Sequence, residues 1–304
     1  MINRSGLTQL IAHEYHEEVE PLIQLERKRI LSDVSELALN SAHGVAFHRG
    51  LGEPLYSTSS TRLTTYVNEE SVKSFASSAY AKPNIAVVAN GASQADLTKW
   101  VGEFFGDVPS TGSQLTSEAS KYHGGEERIA HDSGNAMIIA FPGSSSFTAG
   151  GSYKPEIAVL AALLGGQTSI KWSPGFSLLG KAASSFPGAN AATTHYAYSD
   201  AGLLTIQISG SATSVRGAAA EVVKALKSIS DGSISKEDFT KAVALAKYRA
   251  LEEGQNIEAG LVSTGAGLIH GGKPYQINEI GKSVESVSSD KLKSVCWPFP
   301  LVSC

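Results

Sequence analysis

From Pro109 to Gly125 the chain gives up most of its apolar residues for Ser, Thr, Gly and Gln, and segments patterned as helices and strands alternate on either side. A stretch of that composition contributes little to a core, so it reads as a linker between two domains. The total of 304 residues agrees, being too long for one ordinary core and suited to two domains of about 150 residues. Hydrophobic residues at 42% and charged residues at 18%, without long polar blocks, supply enough apolar surface for burial and argue against disorder.

In the first half, Val19, Leu22, Ile23, Ile30, Val34 and Leu37 recur at helical spacing, which predicts a long amphipathic helix over residues 13–39, kinked or divided at Pro21. A loop rich in Gly and His follows over residues 41–65. The next helix carries Val72, Phe75, Ala76, Ala79 and Tyr80 on one face and is closed by Lys82-Pro83-Asn84. The apolar run 85–89, ended by Asn90-Gly91, predicts a strand, and Leu97, Trp100, Val101, Phe104 and Phe105 predict another helix.

The second half repeats the unit type without an exact repeat. It offers a strand at 136–141, a helix opened by Pro155 and a strand at 203–209. A helix through Val215, Ala219, Val222, Leu226 and Ile229 comes next, then one opened by Ser235 with Asp238 three residues on, a capping-box arrangement. The expected fold is of the α+β class: two α/β sandwiches, each a sheet with helices on one face.

Net charge −4 and a pI near 6.1 leave no basic stripe; the one tight cluster, Arg27-Lys28-Arg29, directly follows Glu26, so nucleic acid is not an expected partner. No apolar run approaches the roughly 18 residues of a membrane span, so any membrane association is expected to be indirect. The first residues, Met-Ile-Asn-Arg-Ser-Gly, resemble neither a secretory signal nor a transit peptide. Cys296 and Cys304 are the only cysteines, which excludes a disulfide framework in the body of the chain and fits a reducing compartment.

Candidate sites are few. Glu26 and Asp33 lie two helical turns apart, about 10 Å along an axis, as in a zinc peptidase, but neither His-Glu-x-x-His nor His-x-x-Glu-His occurs to supply the imidazoles of a hydrolytic zinc. His13 and His16 share a helix face among Glu14, Glu17, Glu18 and Glu20; that arrangement reads as an acidic helix start. Gly165-Gly166 through Lys171 and Gly175 lacks the Gly-Lys-Ser/Thr ending of a phosphate loop and follows a helix, which leaves a long surface loop with Trp172 and Phe176 as interface anchors or core residues. His195, Ser199 and Asp200 have triad composition without a Gly-x-Ser-x-Gly elbow. The proline-rich end 296–304 breaks from the helix begun at Ser289 and reads as a tail unrelated to the domain, not a redox pair.

Seven stretches over residues 10–295 fall in a telling order: HEYHEEVEPLIQLERKRIL, HGVAFHRGLGEPLY, YVNEESVKSFASSAYAKPNIAVVANGASQADL, YHGGEERI, LLGGQTSIKWSPGFSLLGKA, YAYSDAGLLTIQISGSA and LIHGGKPY. Together they resemble the pitrilysin and mitochondrial-processing-peptidase family, and within it the core-protein branch of ubiquinol-cytochrome c reductase, respiratory complex III. The resemblance implies metalloprotease-like sandwiches with mainly antiparallel sheets. Residues 1–108 are the C-terminal part of a first domain, 109–127 the linker, 128–295 a second domain short of its last strand, and 296–304 the tail. In active members a Glu-Arg-x-x-Ile-Leu-x-Glu pattern ends in the third zinc ligand; here residues 26–33 follow it and end in Asp33, a vestigial ligand position.

An inactive, structural subunit is therefore implied, with no catalytic residue, metal or cofactor. It would sit on the matrix side of the mitochondrial inner membrane, partnered by the first core protein and other subunits of a dimeric complex III. The alternative in the same family is the presequence-binding, non-catalytic subunit of the processing peptidase. Its glycine-rich loop corresponds to residues 165–181, where Gln167 to Trp172 replace the glycines.

Overall fold

The computed structural model describes residues 15–54, 68–113, 118–166 and 177–296. The chain folds into two compact units, one of residues 1–32 and 54–119, the other of residues 33–53 and 120–304. Residues 33–53 thus pack with the second half of the chain.

In the first unit a π turn, Tyr15–Val19, leads into α1 (Glu20–Ser32). Pro21 is the second residue of α1, where its missing N–H costs nothing. The helix expected over 13–39, kinked or divided at Pro21, is thus corrected: the break falls at Asp33, which is extended, and α2 (Val34–Phe47), part of the second unit, runs on through part of what sequence spacing assigned to a loop. The physical reason is the Asp33 side chain, whose competing hydrogen bonds to the next turn start a new helix.

The next helix, α3 (Glu69–Ala79), is capped by Asn68, whose Oδ1 accepts from the Ser71 amide at 2.8 Å. Glu69 and Glu70 sit at the positive end of its dipole. A 3₁₀ turn, Lys82–Asn84, follows. The Lys82 amide donates to Pro109 O at 2.9 Å, and Asn84 Nδ2 donates to Ala79 O and Ser113 O, both at 3.0 Å. Then comes α4 (Gln94–Phe104), with Ser93 Oγ accepting from the Asp96 amide at 3.2 Å and donating to Asp96 Oδ2 at 2.6 Å.

The strand expected at 85–89 is corrected too. Ile85 is extended, at φ −115° and ψ 125°, but residues 85–89 pair with no strand among the described residues, and this unit contains no sheet among them. Extended conformation becomes a strand only when a neighbour takes its backbone groups.

The second unit holds a three-stranded antiparallel sheet of order β1-β3-β2, with β1 at Asn135–Pro142, β2 at Asn190–Ala197 and β3 at Gly202–Gly210. Register sets Phe141 and His195 beside Leu204, and Ile139 and Thr193 beside Ile206. Between β1 and β2 lie α5 (Pro155–Leu164) and α6 (Leu178–Ser184). After β3 come α7 (Ala212–Ser230), α8 (Lys236–Gln255), α9 (Ile257–Ile269), α10 (Ile277–Glu285) and α11 (Ser289–Cys296).

One face of the sheet, through Leu204, Ile206 and Ile208, packs on Leu160 and Leu163 of α5, Leu179 of α6 and Val222 and Ile229 of α7. On the other face Leu203 meets Ala46 and Phe47 of α2, joined by Ala140 and Tyr196. Gly165 closes α5 at φ 61°, and a Cβ there would stand 2.5 Å from Ser177 Cβ, so the turn requires glycine. Helices packed on an antiparallel sheet make the α+β class expected from sequence.

Candidate functional site

Asp33, which the family resemblance marks as a vestigial ligand position, has its carboxylate engaged by backbone. Oδ1 accepts from the amides of Ser35 at 2.9 Å and Glu36 at 3.3 Å, capping α2. Glu26 accepts from Arg29 Nε at 3.2 Å, an exposed pair on α1. His16 Nδ1 lies 3.0 Å from Glu20 Oε2 one turn on; His13 and Glu14 fall outside the described residues. No group of three or more His, Cys, Asp or Glu able to hold a metal occurs among the described residues.

His195, Ser199 and Asp200 share no hydrogen bond of a triad. His195 Nε2 lies 3.0 Å from Ser144 N and 3.1 Å from Ser144 O, so the imidazole engages the loop after β1. Burial pushes its pKa below the usual histidine range, against a smaller opposing effect of the Ser144 backbone. A Cβ on Gly143 would stand 2.8 Å from that Nε2, so the ring needs glycine there, and one on Gly202 would stand 2.1 Å from Ser144 O, so the Ser144 backbone needs glycine at 202. Asp200 in turn accepts from the Ser120 amide at 2.6 Å and Ser120 Oγ at 3.1 Å. Each of these two side chains is thereby spent on holding a turn.

Most of the loop 165–181, with Trp172 and Phe176, lies outside the described residues, as do residues 297–304. From its described end, Lys181 Nζ reaches Asp238 Oδ2 at 3.9 Å.

One constellation escaped sequence reasoning. His43, inside α2, donates Nδ1–H to Leu39 O at 2.9 Å, which fixes the tautomer and leaves Nε2 to accept the Tyr198 hydroxyl at 2.7 Å. Its ring meets Tyr196 and Tyr198 edge-on, at 5.3 and 5.9 Å between centroids. Burial first, then Glu36 for Tyr196 and Tyr196 for Tyr198, raise both phenol pKa values and keep them neutral. No local spacing announces a contact across 155 residues.

Beside it, His48 ends α2 at φ 61°, with the Arg49 amide bonded to Phe47 O at 2.7 Å, and its ring stands edge-on to His123 at 4.4 Å. His43 thus ties α2 to the β2-β3 hairpin through Tyr196 and Tyr198, and His48 ties its end to the segment before β1 through His123.

Three comparisons find known proteins to which this chain is similar. The chain is 52% identical over 288 residues to cytochrome b-c1 complex subunit 2, mitochondrial, of Neurospora crassa, covering 94% of this chain and 62% of that protein. It is 34% identical to the protein of the same description in Cryptococcus neoformans var. grubii, over 92% of this chain and 64% of that one. The chain thus spans less than two thirds of the length of these relatives. Its fold matches a chain of complex III2 from Candida albicans, Inz-5 bound, with a TM-score of 0.75 at 14% identity, over 92% of this chain and 67% of that one. Residues 66–245, more than half of the chain, match the model of the peptidase M16 inactive domain, and the chain belongs to that family.

Proposed function

We propose that this chain is a non-catalytic, structural subunit of the mitochondrial cytochrome b-c1 complex, supporting assembly of complex III in respiratory electron transport. What supports the reading is 52% identity to a subunit of that complex, together with the helix-capping role of Asp33, the residue that the family resemblance sets at the third ligand position. The partners are the first core protein and further complex III subunits in a dimeric assembly. Attachment is peripheral, on the matrix side of the inner membrane; no helix among the described residues is long and apolar enough to cross a membrane. Residues 1–108 belong to a first peptidase-like domain, 109–127 to the linker, 128–295 to a second such domain and 296–304 to an unrelated tail.

Native electrophoresis of detergent-solubilised mitochondrial membranes, with mass spectrometry of each band, tests this. Peptides unique to this chain are expected at the position of dimeric complex III. Their recovery only with a soluble, zinc-dependent activity that cleaves presequences would transfer the chain to the processing peptidase as its presequence-binding subunit.

A further inference from the structure

Asn90-Gly91 is the one Asn-Gly pair in the sequence, and the function proposed above makes no use of it. Both residues are exposed, in a bend just before the start of α4. Gly91 stands at φ 81°, in the left-handed region that favours glycine, and a Cβ built there would meet nothing within 4 Å. Among the described residues no hydrogen bond engages the Asn90 side-chain amide or the Gly91 main-chain amide.

The other described asparagines are held. Asn68 and Asn256 cap helices, Asn84 Nδ2 is bonded to two carbonyls, and Asn135 Nδ2 reaches Gly210 O at 3.4 Å. Asn40 and Asn278 lie inside α2 and α10, and Asn190 opens β2, where regular geometry fixes the main chain that follows. Asp231-Gly232 is the nearest analogue in sequence, and there the Gly232 amide donates to Ile229 O at 3.0 Å.

Asparagine is among the thermolabile residues because its side-chain carbonyl carbon lies within reach of the next main-chain nitrogen. Closure of that ring needs a nitrogen uncrowded by a side chain, an N–H that no acceptor holds, and room for the main chain to turn. The bend at 90–91 meets all three.

We propose that Asn90-Gly91 is a site of spontaneous deamidation and isoaspartate formation. The Gly91 nitrogen, deprotonated by hydroxide, attacks Asn90 Cγ; the N–Cγ bond forms, the Cγ–Nδ2 bond breaks, and Nδ2 takes a proton from water and leaves as ammonia. Water then opens the succinimide. Cleavage of the new N–Cγ bond leaves aspartate, and cleavage between that nitrogen and the main-chain carbonyl carbon of residue 90 leaves isoaspartate. Either product sets a carboxylate where Asn90 had a neutral amide, three residues before Ser93, the cap of α4. Isoaspartate also routes the main chain through the side-chain carbon, and its α-carboxylate is the group that an isoaspartyl methyltransferase esterifies from a sulfonium methyl donor. The site holds whichever complex the chain joins, so it stands or falls apart from the function proposed above.

The test ages the full chain at neutral pH, natively folded and in guanidinium chloride, and follows every asparagine by proteolysis and mass spectrometry. Methyl uptake from S-adenosylmethionine, catalysed by an isoaspartyl methyltransferase, marks isoaspartate in each peptide. Residue 90 is expected to lose its amide at least tenfold faster than any other asparagine of the folded chain, at a rate within tenfold of that in denaturant, and to accept methyl groups. Asn90→Gln, at an exposed position with no hydrogen bond to lose, is expected to keep its far-ultraviolet dichroism and lose ammonia there at least tenfold more slowly, because closure would need a larger ring. A folded rate more than tenfold below the denatured rate overturns the proposal, since the fold would then protect the turn. Earlier reaction at another asparagine overturns it as well, and aspartate at 90 without methyl uptake overturns the ring route in favour of direct hydrolysis.

Discussion

Asp33 separates two readings of one carboxylate. As a metal ligand it would need its charge; as an N-cap it needs only an acceptor oxygen, which asparagine also offers. Asp33→Ala is expected to cost about 1 kcal/mol and Asp33→Asn a few tenths at most, as read from urea denaturation midpoints. A cost shared equally by both variants would point back to the charge. His195 makes a second prediction at this scale. Its folded pKa is depressed by burial from the ordinary 6.5, so below that pH the unfolded chain binds the proton more readily and stability falls as pH falls. The loss begins near pH 6.5 and levels off only once the folded-state pKa has been passed. Stability measured between pH 8 and pH 5 is expected to decline in the wild type, and His195→Gln is expected to flatten that part of the slope. Neither role was legible from composition: triad-like letters at 195–200 say nothing about Ser144 and Ser120, which lie far away along the chain.

Helices announced themselves through caps and periodicity, both local properties. Ser235 before Asp238, Pro155 at the first turn of α5 and the stripe from Val215 to Ile229 all mark elements that the structure contains. Strands did so unevenly, because a strand is defined by its neighbour. The sequence of β2, with Ala191, Ala192, Thr193 and Thr194, has a weak apolar signal and was missed, yet β3 pairs with all of it; residues 85–89 have a strong signal and no partner among the described residues. The same contrast sets energies. Ile206, fully buried in the central strand, is expected to cost about 2–5 kcal/mol when cut to alanine, through lost transfer energy and the cavity left behind. Phe104→Ala, at a residue 61% exposed, is expected to stay within about 0.5 kcal/mol in the isolated chain. Denaturant unfolding of both variants checks the pair, and a large cost at Phe104 would mean that its face is already covered.

At the scale of the molecule, burial is shared unequally between the two units. The continuous core, from Phe141 through Leu292, lies wholly in the second unit, whereas the buried apolar residues of the first are Tyr15, Ile30, Ala76 and Ala81 among the described ones. Burial of apolar surface is the dominant stabilising term and must outweigh chain entropy of similar size in each unit separately. The described residues of the first unit, with four such side chains, set little against that entropy, so cooperative two-state unfolding of the whole chain is not expected. The first unit should open at lower denaturant than the second, and amides of α3 and α4 should exchange well before those of β3 and α7. A chain carrying Trp172→Phe and Trp297→Phe keeps Trp100 as its single indole and reports the first unit alone. Its fluorescence midpoint is expected below the midpoint followed by helical dichroism, to which α5 to α11 contribute most. Coincident midpoints would show that the two units unfold together, and that stability of the first rests on contacts outside its own small core.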